Sequence, residues 1–270
     1  MNMDYLYHYC SIETFEKIVR NRTFRFTSLA EVDDLEEPLT SDFDDIGKIC
    51  YVSCWTDCSS EMIEMWRSYT DNMKGVRIGL PKYFYTVTDA EEALKKQKEI
   101  SSNYDLSLSP PYFPELIPVT YTKDPMLINL PVISSFESHE VKENMKSDTI
   151  QVSINTQLLG RFKNIAWNYQ SEWRYRLIAI PNEVLRLNQK GRYSVADIEK
   201  HKEQLKQDIF QHFSQRYIDY PFPESIFSDM NLIFGPANTD DDNRKIIDVI
   251  TTYCNGYNID YRKSSLKVKS

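Results

Sequence analysis

Apolar and polar positions change period repeatedly along this chain. Asp4–Cys10 is aromatic-rich, as strands often are, and Ser11 then offers an N-cap to Ile12, Phe15, Ile18 and Val19, which recur at helical spacing. Arg22 puts a cation at the end of that helix, and Thr23–Thr27 alternates as a second strand before an acidic loop from Glu31 to Asp45. Ile49–Trp55 reads as a buried strand. Met62, Met65, Trp66 and Tyr69 then recur at i, i+3, i+4 and i+7, which predicts one apolar helix face. Gly75–Leu80 is a strand stopped by Pro81, and Ala90–Lys98 is a charged helix expected to be exposed.

Prolines and polar residues predict a loop from Ser101 to Pro114, a strand follows over Leu116–Thr122, and Pro125–Thr149 is expected to be mostly helical. Asn155–Trp167 sets Leu158, Leu159, Phe162 and Ile165 on one helical face. Glu172–Ile180 alternates as a strand that Pro181 ends, and Ser194 caps a long helix from Val195 to Tyr217. The strand Asn231–Phe234, a helix over Asp240–Tyr253 and a short strand over Ile259–Arg262 close the chain. Strands and helices in this order predict an α+β fold: a single domain over residues 1–270, with a mixed, mostly antiparallel sheet, flanking helices and a helix-rich portion from about residue 190.

Composition narrows what such a domain does. With 41% hydrophobic residues in 270, the chain can bury a large core without disulfides or metal. A formal net charge of -8 opposes non-specific phosphate binding, so nucleic acid is disfavoured as a partner. No G-x-G-x-x-G or P-loop pattern occurs among the seven glycines, which argues against the two common phosphate cradles. No basic leader precedes an apolar run and no stretch is long enough to span a bilayer, so a cytoplasmic protein with no membrane partner is expected. Five cysteines in a reducing compartment are expected as free thiols, and Cys50, Cys54 and Cys58 lack zinc-ligand spacing, so no metal is expected.

Two residues stand out as candidate chemistry. His8 sits between two tyrosines on the first strand, where a neutral ring carries one donor and one acceptor for a ligand; the alternative is a core histidine bonded to backbone. Glu172 opens a late strand on the same face as Arg174, where its carboxylate faces a cleft or pairs with Arg174 or Arg176. Trp55, Trp66, Tyr69 and Trp173 offer an aromatic wall or ordinary packing. The acidic turn from Asp33 to Glu37 reads as a solvated loop.

Leu6–Phe15, Phe24–Ser28, Val52–Trp55, Met65–Tyr69, Lys74–Gly79, Glu172–Arg174 and Leu232–Pro236 resemble, in order and spacing, the bacterial domain of unknown function numbered twenty-nine seventy-one. That family usually has threonine where Cys10 stands and an acidic residue where Gln170 stands. A more distant resemblance is to ADP-ribosyltransferases, carried by His8, Thr27-Ser28 and Gln170-Ser171-Glu172 in that order. It implies an NAD-consuming enzyme in which His8 bonds the nicotinamide ribose, Ser28 shapes the nicotinamide pocket and Glu172 holds the ribose 2′-hydroxyl. Gln170 would orient the nucleophile, and Tyr9, Thr27 and Arg174 complete the implied cofactor contacts. NAD would then be a substrate, consumed by hydrolysis or by transfer to an unknown macromolecular acceptor, as in a toxin or phage-defence effector. Two other readings stay open: a non-catalytic ligand-sensing or protein-binding module, and a metal-dependent nuclease built on the acidic clusters.

Overall fold

The computed structural model describes residues 4–43, 46–87, 89–142, 145–182 and 213–268. Strand β1 (Tyr5–Cys10) runs into helix α1 (Ile12–Asn21), whose N-cap Ser11 accepts from the Thr14 N–H at 3.1 Å. Arg22 ends α1 in the left-handed conformation at φ 55°, and β2 (Thr23–Ser28) follows. Burying Phe15, Ile18 and Val19 holds α1 on the sheet, each side chain contributing about 1.5–3 kcal/mol. Next come β3 (Cys50–Thr56), α2 (Ile63–Tyr69) and β4 (Val76–Pro81), all close to where the apolar periodicity places them.

Helix α3 (Ala90–Tyr104) is longer than expected and not wholly exposed, because Ala93, Gln97 and Ile100 form a buried face. The predicted loop after it contains β5 (Leu106–Ser109), and the strand expected over Leu116–Thr122 is divided into β6 (Glu115–Pro118) and β7 (Thr120–Thr122). The segment expected to be mostly helical holds only the short α4 (Pro125–Ile128). It then forms a hairpin of β8 (Ile133–Lys142) and β9 (Met145–Ile154), paired from Ile133 opposite Ile154 to Lys142 opposite Met145. Cross-strand pairing, which local periodicity does not record, decides this region.

The helix expected over Asn155–Trp167 is also absent. A single tight turn at Thr156–Leu158 is followed by Gly160 at φ 71°, a conformation that ends a helix, and then by β10 (Phe162–Asn164) parallel to β7. A second turn, Ile165–Gln170, leads into β11 (Glu172–Pro181). The long helix expected from Val195 lies outside the described residues except at its end, where Tyr217 begins β12 (Tyr217–Pro221). Strand β13 (Asn231–Phe234), helix α5 (Asp240–Tyr253) and β14 (Asp260–Lys263) complete the fold.

The main sheet has ten strands in the order β12-β2-β3-β1-β4-β13-β14, with β11 along β3 and both β5 and β6 along β11. Every pairing in it is antiparallel except β13 with β14. This is the expected α+β architecture. Among the described residues, no helix is long and apolar enough to cross a membrane.

The sheet is split at its centre. One edge of β3 pairs continuously with β11, from Cys50 opposite Ile178 to Thr56 opposite Glu172. Its other edge meets β2 only at Tyr51 and Val52, and β1 only where Thr56 faces Tyr7. Between those points Ser53, Cys54 and Trp55 border an opening between β1 and β2, and that opening positions the site.

Candidate functional site

The His8 side chain enters this opening. Its Nδ1 lies 2.9 Å from the Cys54 carbonyl, a group on the stretch of β3 that neither β1 nor β2 pairs. The carbonyl can only accept, so Nδ1 carries the proton and Nε2 is left as the ring's acceptor. Burial pushes the His8 pKa down, only partly offset by the bond to Cys54, so the ring is neutral at pH 7. Phe24 and Trp55 pack on it with ring centroids 6.0 and 5.1 Å away. Both readings of His8 therefore meet in one residue, since it bonds backbone and also borders a cavity.

Glu172 faces the same opening from β11. Its Oε1 accepts from Arg174 Nε at 2.7 Å, and its Oε2 accepts from Arg174 Nη2 at 3.1 Å and Lys163 Nζ at 3.2 Å. Arg174 also grips Glu37, with Nη2 to Oε1 at 2.9 Å and Nη1 to Oε2, while Nη1 reaches the Gly160 carbonyl at 3.0 Å. All five guanidinium N–H donors are thus engaged within the protein. Lys163 is likewise filled by Glu172, Glu37 at 3.1 Å and Gln170 Oε1 at 2.9 Å. Two carboxylates and two cations make a charge-balanced cluster, each side chain no more than 6% exposed.

Burial alone pushes the Glu172 carboxyl up, but the neighbouring Arg174 and Lys163 outweigh it and hold it down at about 2. Glu172 is therefore a fixed, ionised acceptor at neutral pH. The Cys54 thiol is pushed well up, first by burial and then by the Glu172 charge, so it stays protonated and is no thiolate nucleophile.

Two adjoining cavities share His8, Cys54, Tyr69 and Glu172. The outer one, about 280 Å³, has an apolar side of Ile18, Phe24, Val32 and Val52 and a polar side that includes Thr27, Lys163 and Arg174. The inner one, about 70 Å³ and also open to solvent, is further lined by Tyr7, Tyr9, Trp55, Met65 and Gln170. Gln170 Nε2 donates to the Tyr69 hydroxyl, and the Tyr121 hydroxyl accepts from the Glu172 N–H at 2.9 Å.

The sequence candidates divide accordingly. His8, Tyr9, Thr27, Gln170, Glu172 and Arg174 line one or both cavities. Ser28 does not: its hydroxyl accepts from the Ala30 N–H at 3.2 Å and donates toward the carbonyls of Gly47 and Lys48, so it caps a turn. Of the aromatic wall, Tyr69 and Trp55 border the inner cavity while Trp66 is buried against Tyr9. The expected pairing of Glu172 with Arg174 is present; Arg176 instead pairs with Glu115. The acidic turn is not simply a solvated loop, because Asp34 and Glu37 are each 6% exposed and Glu37 anchors the cluster. The sequence marks Glu37 only as part of an acidic turn, and Lys163 not at all. No local pattern reveals their pairing, as their partners lie far away along the chain. Among the described residues no group of three or more His, Cys, Asp or Glu side chains is arranged to hold a metal.

Residues 65–175 match the model of a family described as "Protein of unknown function (DUF2971)". The match supports the family resemblance and takes in Tyr69, Lys163, Gln170, Glu172 and Arg174, while His8 and Glu37 lie before it. No curated protein and no solved structure matches the chain.

Proposed function

We propose that this protein consumes NAD, cleaving the bond between nicotinamide and ribose in the cleft between His8 and Glu172. One observation carries the reading: two residues more than half the chain apart, each suggested by sequence, border the same cavity with complementary states. His8 offers Nε2 as an acceptor for a ribose hydroxyl. Glu172, held by three donors of Arg174 and Lys163 and a fourth from the Cys54 thiol, accepts from the 2′-hydroxyl in place of that thiol. Cleavage builds positive charge on the ribose, and a preorganised carboxylate stabilises that charge more in the transition state than in the ground state. Arg174 and Lys163 temper the field of Glu172 but also fix its orientation, so no reorganisation is needed during the reaction.

A second reading, a non-catalytic ligand-binding module, is favoured by the mutual satisfaction of Glu37, Lys163, Glu172 and Arg174. There the cluster only stiffens the cleft. Both readings place a ligand at His8, and NAD tests the first directly. Under the enzyme reading, NAD raises the melting temperature of the wild type, by about 2.7 kcal/mol of stabilisation at a hundredfold excess over Kd, and His8→Phe abolishes the rise. A folded wild-type protein with no NAD-dependent change in melting would sink the proposal and leave the module.

A further inference from the structure

We infer that the opposite face of the main sheet carries a second binding site, for a small zwitterion of the amino-acid class, which sets its carboxylate at Arg77 and its ammonium at Asp260. The inference is independent of the NAD-consuming reading. Strand register lays the site out. Tyr9, Arg77, Ile233 and Arg262 stand in one row across β1, β4, β13 and β14, and Tyr7, Gly79, Asn231 and Asp260 in the next. Side chains alternate along a strand, so both rows point away from the face that carries His8. Arg77, Ile233, Arg262, Asn231 and Asp260 line an open cavity of about 430 Å³, within the range for small-molecule sites. It shares no lining residue with the two cavities at His8.

Arg77 is the residue that asks for a ligand. Among the buried arginines, Arg174 holds Glu172 and Glu37, and Arg176 pairs with Glu115. Arg77 is 3% exposed and has no carboxylate partner among the described residues. Its Nη1 donates to the Ser59 carbonyl at 3.0 Å, and its guanidinium lies 4.1 Å over the Tyr7 ring. Its Nε is buried without a hydrogen-bond partner, and among the described residues Nη2 has none either. A buried cation with unmet donors is costly until an anion meets it. Arg262 makes no such demand, because the buried Glu61 carboxylate accepts from its Nη1 at 3.1 Å.

The rest of the cavity selects the kind of anion. Asp229 and Asp260 also line it, and among the described residues neither carboxylate has an ion pair. A doubly charged phosphate at Arg77 meets their repulsion, whereas a single carboxylate on a molecule that also carries an ammonium makes Asp260 a partner. Asn231 stands beside Asp260 in the same row, its amide laid over Gly79, where an added β-carbon would lie 2.4 Å from the amide oxygen. That amide has a donor for the ligand's carboxylate and an acceptor for its ammonium. Tyr5, Met230 and Ile233 add apolar surface for the ligand's side chain.

The test is isothermal titration calorimetry on the purified full chain with the standard amino acids one at a time, and with acetate, methylamine and inorganic phosphate. At least one amino acid is expected to bind, more tightly than any of the three simple ions. Asp260→Asn, at an exposed position that leaves the fold intact, should weaken that binding by about fivefold, as one exposed ion pair does. Arg77→Met should weaken it by about thirtyfold or more, as the loss of one member of a buried charged pair does. His8→Phe should leave it unchanged. Three results would each overturn the proposal: no amino acid bound by the folded wild type, acetate or phosphate bound as tightly as any amino acid, or binding that Asp260→Asn leaves intact and His8→Phe removes.

Discussion

Arg174 joins Glu172 to Glu37 across 135 residues of sequence, clamping Glu172 through Nε and Nη2 and Glu37 through Nη1 and Nη2. Lys163 touches the same two carboxylates, so the cleft's ionised acceptor is held by partners from the acidic turn, β10 and β11 together. The lock is set by burial. In water such pairs contribute little, but here removal of one member strands a charge in the interior.

Glu37→Ala should therefore cost about 3–5 kcal/mol, measured by urea denaturation, because Arg174 and Lys163 would then share one carboxylate. Glu115→Ala should cost much less. Its carboxylate is 37% exposed, and Arg176 keeps the Gln157 and Leu159 carbonyls as partners. Equal losses would show that the cluster at Arg174 is no stronger than the pair of buried Arg176 with the more exposed Glu115.

Stability should fall in two acid windows. His8 is depressed below its ordinary 6.5 by burial, so the unfolded state binds the extra proton and stability declines as pH drops below about 6.5. Glu172 sits at about 2 because Arg174 and Lys163 outweigh burial, so its contribution is complete above about 4.5 and is lost as pH falls toward 2. Urea denaturation as a function of pH checks both. His8→Gln, which keeps a donor for the Cys54 carbonyl, should flatten the upper window alone, and Glu172→Gln the lower one.

Thiol labelling should be strongly uneven. All five cysteines are free; Cys10, Cys50 and Cys254 are buried, and burial raises the Cys50 thiol to about 12 and the Cys254 thiol to about 11. Cys54 is half-buried like Cys58, but its desolvated surroundings and the Glu172 charge keep its thiol protonated, which leaves Cys58 to react first with iodoacetamide. Cys58→Ser should remove the fast phase, and a persistent fast phase would place a second thiol within reach of solvent.

Segments whose polar and apolar residues keep one period were legible in the sequence. The alternation of Glu172–Ile180 and the capped face of Phe15, Ile18 and Val19 predict β11 and α1, which appear there, although β11 is buried along nearly its whole length. The stretches 125–149 and 155–167 were not legible. One is set by cross-strand pairing, and the other by Gly160 in the left-handed region. His8 and Glu172 were legible as polar residues on strands β1 and β11, whereas Gln170 was suggested only by the resemblance. Glu37 was not legible, since an acidic turn looks solvated until a distant arginine and lysine bury it. A serine after a strand caps a turn as readily as it lines a pocket, and Ser28 caps one.

The most direct measurement is nicotinamide release from NAD by wild-type protein and by Glu172→Gln, with melting curves to show that both are folded. The account predicts release by the wild type and a fall of about a hundredfold or more in the variant, the size expected when a transition-state charge loses its preorganised partner. Equal release by the two proteins, or none by a folded wild type, would contradict it.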